Sequence, residues 1–142
     1  MAITGGICTS FKQELLEAVH NFSTSGGDTF KLALYTSAAT LDGTTTAYIT
    51  ANEVSGAGYT TGGGTLTNAG TNASGTEAFV DFQDFTFANS TITARGGLIY
   101  NSSKSNKAVA VVNFGTDQST SNSNFTIQFP AAGAGSAIVR IT

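Results

Sequence analysis

The sequence predicts a mainly β protein, an antiparallel β-sandwich or jelly roll with one short N-terminal α-helix. Three observations point there. Apolar and polar residues alternate with period two in stretch after stretch, enough for about seven or eight strands separated by turn-forming residues. Helical spacing is convincing in only one place, residues 10–21. Residues 94–115, ARGGLIYNSSKSNKAVAVVNFG, read as a long β-hairpin whose two arms are apolar on both faces, which places them inside the molecule rather than at an edge.

Along the chain, residues 1–9 hold Gly5 and Gly6 and few anchors beyond Ile3, Ile7 and Cys8, the composition of a flexible or docking arm. A single domain, 10–142, follows. Ser10 stands three residues before Gln13, the capping-box spacing, and Phe11, Leu15, Val19 and Phe22 share one helical face. A helix over 10–21 is predicted, with Lys12, Gln13, Glu14, Glu17 and His20 on its flanks and outer face and Ser23, Ser25, Gly26 and Gly27 stopping it. In residues 29–36, Phe30, Leu32 and Leu34 alternate with Lys31, Ala33 and Tyr35, a strand. A turn at Asp42 and Gly43 separates Leu41 from the β-prone residues 44–50. Residues 52–67, with Val54, Tyr59 and Leu66 among many glycines, read as a folded loop leading into a strand.

Residues 68–76 are polar and read as a connection. Ala78, Val80 and Phe82 then mark a strand, continued by Phe85 and Phe87 to a turn at 88–90. After it comes the hairpin, its arms joined by the Asn- and Ser-rich residues 101–106 and followed by the polar segment 116–124. Phe125, Ile127 and Phe129 alternate once more, Pro130 and the small residues 131–135 break the pattern, and 137–141 form a short closing strand.

Composition narrows the function. A chain of 142 residues suits one domain. Only 11 % of its residues are charged, against about 25 % in an ordinary soluble domain, which hints at an assembly where much of the surface faces other protein. The six cations, Lys12, Lys31, Arg95, Lys104, Lys107 and Arg140, stand singly in a chain of net charge −3, so nucleic acid is not an expected partner. No apolar run nears the roughly 20 residues that span a bilayer, and the first ten residues do not resemble a signal peptide. No membrane partner and synthesis in the cytoplasm are expected. A lone cysteine, Cys8, forms no internal disulfide and fits a reducing compartment.

Chemistry-bearing constellations are sparse. One His and one Cys do not make a transition-metal centre, and no cofactor is expected. Asp81 and Asp84 flank Phe82 but point to opposite sides of a strand, a poor glycosidase pair. Calcium held among Asp42, Glu53 and Asp117 stays open, because loop oxygens leave no linear signature. His20 is the only histidine, so a Ser or Cys nucleophile has one possible imidazole base, and an ordinary surface His explains it better. Residues 56–64 lack GxGxxG spacing and any following GK[ST], hence neither a dinucleotide nor a phosphate loop. Asn-x-Ser/Thr triplets begin at Asn21, Asn72, Asn89, Asn101 and Asn124, as expected by chance in so Asn- and Ser-rich a chain. Tyr35, Tyr48, Tyr59 and Tyr100 would offer a sugar platform if exposed, whereas Tyr at half-buried strand positions usually packs with its hydroxyl bonded.

The segments AITGGICTSFKQELLEAVHNF, FKLALYTSAATLDGTTTAY, NEVSGAGYTTGGGTLTN and ARGGLIYNSSKSNKAVAVVNFG together resemble a family of small virion proteins of tailed bacteriophages. The resemblance spans most of the chain and is most specific at 52–68 and 94–115. It implies a late structural protein, made in the bacterial cytoplasm and built into the particle, and it brings no catalytic residues. The first reading is a non-enzymatic capsid decoration, or cement, protein on the outer capsid surface. Its partner would be the major capsid protein, and it would oligomerise, a trimer matching local three-fold points of a shell. Candidate contact segments are 1–9, 52–64 and 131–142, with Ile3, Ile7, Phe11, Val54, Tyr59, Ile138 and Ile141 as candidate interface residues. The alternatives are a neck, tail or fibre-associated virion protein and a carbohydrate-binding module.

Overall fold

The computed structural model describes residues 2–130, 133 and 137–141. In chain order these form β1 (Gly6–Ile7), α1 (Thr9–Leu16), β2 (Phe30–Tyr35), β3 (Gly64–Thr65), β4 (Asn68–Ser74), β5 (Glu77–Phe82), β6 (Phe85–Ser90), β7 (Thr93–Asn101), β8 (Lys107–Ser119), β9 (Ser123–Ile127) and β10 (Val139–Ile141). The protein is mainly β, with antiparallel sheets and one short helix, a β-sandwich-like arrangement. Met1, Ala131, Ala132, Ala134, Gly135, Ser136 and Thr142 lie outside the described residues, and with them most of the predicted break at 131–135 and part of the contact segment 131–142.

The β7–β8 hairpin is the centre of a five-stranded sheet ordered β1-β8-β7-β2-β3. Leu98 pairs with Val111 and Ile99 with Ala110, all four buried, so the doubly apolar arms are interior strands as their pattern predicts. The turn is also where Asn and Ser placed it, with Ser105 and Asn106 at positive φ. One face of this sheet carries Phe30, which stacks on Phe22 at 4.3 Å and lies 5.7 Å from Phe82 of the small sheet β10-β5-β4. On the other face, the Tyr35 hydroxyl reaches the Ile49 carbonyl and the Tyr100 hydroxyl reaches that of Gly62, fastening loop residues over the strands. The two-stranded sheet β6-β9 closes on β3, where the Phe85 ring occupies the space that a side chain at Gly64 would enter, so a larger residue there would displace the ring.

Several elements differ from expectation, each for a local reason. The helix ends at Leu16 instead of running to 21. Ala18 takes φ 60, and the bonds from Val19 N–H to the Glu14 carbonyl and from Ala18 N–H to the Leu15 carbonyl close a Schellman turn. Val19, His20 and Phe22 therefore follow the helix. No Ser10–Gln13 capping box forms; Cys8 is the N-cap residue, Gln13 donates to Glu17, and the buried Ser10 Oγ has no partner among the described residues. Residues 44–50 make one bridge, Ala47 to Lys107, rather than a strand. The polar residues 68–74 are strand β4, residues 88–90 belong to β6, and β8 runs through a bulge to Ser119.

The segment 2–9 lies against the body of its own chain. Thr4 N–H donates to the Leu41 carbonyl and Leu41 N–H to that of Ala2, while Gly6 and Ile7 pair with Val111 and Ala110. In this way the segment covers part of the backbone edge that β8 would otherwise leave open.

Candidate functional site

The side chains that sequence analysis singled out for chemistry fall into two clusters, both turned inward. His20, expected on an outer helix face, is instead buried, because the Schellman turn swings it beneath Phe11, whose ring lies 4.8 Å from the imidazole. Its Nε2 lies 3.0 Å from Glu14 Oε1 and its Nδ1 lies 3.0 Å from Asn101 Nδ2. Asn101 Nδ2 is a donor only, so Nδ1 accepts and Nε2–H donates to Glu14, which fixes the tautomer. The second Asn101 proton goes to Asp28 Oδ2 at 2.8 Å, and Asn101 Oδ1 accepts from Ser103 N–H. Lys104 Nζ meets Asp28 Oδ1 at 3.0 Å, and Lys107 Nζ lies 3.4 Å from Glu14 Oε2. Burial pushes the Asp28 carboxyl up, but the donors Asn101, Asn21 N–H and Lys104 outweigh it and hold the group below the ordinary carboxylate range. This cluster ties helix end, connecting loop and hairpin turn together, with each polar atom facing a partner inside the chain.

Glu53 organises the second cluster. Its Oε2 accepts from the Tyr48 hydroxyl at 2.7 Å, and its Oε1 from the Tyr59 hydroxyl at 2.6 Å and Gly62 N–H at 2.7 Å. The Tyr59 oxygen also accepts from Leu34 N–H, and Val54 N–H donates to the Leu34 carbonyl, so the glycine-rich loop completes the β2 edge beyond β3. Burial, reinforced by the Glu53 charge, raises the Tyr48 and Tyr59 hydroxyls well above the usual phenol value. All four tyrosines are thus packing residues with bonded hydroxyls: Tyr35 and Tyr100 are buried, and Tyr48 stacks on Tyr100 at 4.7 Å. They form no exposed sugar platform.

The remaining candidates disperse. Cys8 is buried, and burial, with Asp42 and Glu14 nearby, pushes its thiol up to about 11, far from a reactive thiolate. Asp81 is buried and raised by desolvation, while Asp84 accepts from Phe129 N–H at the surface. Asp42 bonds Thr44, and Asp117 pairs with Arg95. Among the described residues no three His, Cys, Asp or Glu side chains gather to hold a metal, and no helix is long and apolar enough to cross a membrane.

The fold leaves open a polar groove of about 500 Å³ beside β8 and β9, lined by Asn113, Gln118, Asn124 and Gln128 among others, and an apolar one. The outer side of α1, Ile7 of β1 and the edge strand β10 enclose a groove of about 330 Å³ lined by Ile7, Phe11, Lys12, Leu15, Leu16, Val139, Arg140 and Ile141. It continues past Leu15, Val139 and Ile141 into a depression of about 180 Å³ against Phe22, Phe79 and Val80. Leu16 is 90 % exposed and Ile141 57 %, and both stand on its rim. β10 bonds to β5 on one side, and its other edge has no strand partner among the described residues. Lys12 and Arg140 also border the groove and make no ion pair among the described residues.

Of the seven candidate interface residues, Ile7, Phe11 and Ile141 meet here, with Phe11 as the fully covered floor. Ile3 and Val54 are core residues, Tyr59 is held by Glu53, and Ile138 is half-buried against the core. Leu16 and Lys12 were missed as site residues. An apolar Leu16 beside the polar face of the predicted helix was the available signal. Compared with known proteins, the chain matches no family model, no curated protein and no solved structure.

Proposed function

We propose that this chain is a non-enzymatic structural protein of a tailed-phage virion, a capsid decoration protein that binds the outer capsid surface and stabilises the shell. The observation that carries the reading is the open apolar groove between α1 and β10 on a chain with few charges. The virion-protein resemblance of 52–68 and 94–115 supports it. The titratable residues act within the fold, where His20, Glu14, Asp28 and Glu53 hold loops to strands.

The mechanism is adhesion. Covering apolar surface yields about 25 cal/mol per Å², from which the cost of immobilising the chain must be subtracted, so each contact is weak by itself. Many copies on one shell, bridging neighbouring major capsid subunits, hold through effective concentration. The chain would be made in the host cytoplasm and reside on the capsid surface. Cryo-EM of intact particles with the copies located tests the proposal. Density at regular positions over the whole shell, in hundreds of copies, is expected; density confined to the portal vertex or tail would replace it with a neck, tail or fibre role.

A further inference from the structure

We propose that the apolar groove receives an extended apolar segment of another virion protein that carries a carboxylate, added as a further strand along the free edge of β10. The inference rests on reading the groove as a contact surface and names what covers it. Charge gives the first argument. Lys12 and Arg140 are the only charged residues among the eight that line the groove, and both are cations in a chain with nine acids to six bases. Both are exposed, and neither makes an ion pair among the described residues. Lys12 stands one helical turn before Leu16 on the same side of α1, so a carboxylate that meets Lys12 lies beside the apolar strip.

The backbone gives the second. All three residues of β10 line the groove, whereas a strand seen from one face would offer only alternate residues, so the groove runs along the strand's edge. That edge has no strand partner among the described residues, and its outward N–H and C=O groups need partners once they are covered. An added strand supplies them, and its apolar side chains cover Leu16 and Ile141, two of the three exposed large hydrophobic residues among those described. Other occupants fit less well. An acyl chain would leave the edge groups facing hydrocarbon, and a second copy docked about a two-fold axis on this groove would set its own Lys12 and Arg140 against these.

Carbodiimide coupling on intact particles, which joins an amine to a carboxylate it already touches, reads the contact at Lys12; retention on particles stripped of the native chain reads its weight. Lys12 is expected to couple to an Asp or Glu of another virion protein, in a segment with apolar residues at alternate positions. Lys12→Glu and Arg140→Glu should each lower retention about fivefold with an unchanged thermal midpoint. If Leu16→Glu is lost from particles while both charge reversals are retained like the parent, or if Lys12 couples only to carboxylates of other copies of this chain, the proposal is overturned and the contact-surface reading stands. If Leu16→Glu is itself retained like the parent, both are rejected.

Discussion

The two sides of helix α1 show how the molecule divides its chemistry. The inner side presents Phe11, fully covered against His20 and Phe22, and Glu14, which grips His20 and Lys107. The outer side presents Lys12, which makes no ion pair among the described residues, and Leu16, almost wholly exposed. Polar and ionisable groups are turned inward to join loops to strands, and an apolar strip is left outside. Contiguous exposed apolar surface of this kind is unusual enough in a folded chain to call for a reason.

The sharpest way to break the contrast is to truncate each side. Phe11→Ala is expected to lower the unfolding free energy by about 4 kcal/mol, since it opens a cavity under the His20 ring; the shift of the urea midpoint measures it. Asn101→Leu comes next, at about 3 kcal/mol, because His20 Nδ1, Asp28 Oδ2 and Ser103 N–H lose their buried partner together. A loss below about 1 kcal/mol would mean that water replaces the amide and that the cluster is not a fastening.

The same cluster has a pH signature. The folded-state Asp28 carboxyl is held below its ordinary value, so the stability it contributes is present above the ordinary carboxylate range and is lost as pH falls through the lowered value. Asp28→Asn should therefore be less stable than the parent at neutral pH, with the gap closing on acidification. A gap that is constant with pH would show that the charge is irrelevant. Smaller still, Ala18→Gly should raise stability by about 0.5 to 1 kcal/mol, because φ 60 at the Schellman position strains a Cβ.

How far the sequence could be read depended on where the partner of each segment lay. The β7–β8 hairpin, β2, β5 and β9 were legible because each buries apolar side chains of its own. Strand β4 was not: Asn68–Ser74 has no large apolar residue, and β5 supplies what its pattern lacks through backbone pairing. The helix was over-extended because Val19 and Phe22 keep helical spacing after Ala18 has turned the chain, so the burial stripe persists while the helix does not. His20 was placed outside for the same reason, and its true partner, Asn101, lies 81 residues away, beyond any local signal. In the groove, Ile7, Phe11 and Ile141 were named from sequence, but only the docking of β10 beside α1 joins them to Leu16.

One paired measurement tests most directly whether the outer side of α1 is a contact surface: the thermal midpoint of Leu16→Glu together with its retention on purified particles stripped of the native chain. Leu16 touches little in the folded chain, so stability should stay within about 0.5 kcal/mol of the parent, while retention should fall tenfold or more. Retention equal to the parent's at unchanged stability would contradict it, and would leave the apolar groove without a role in assembly.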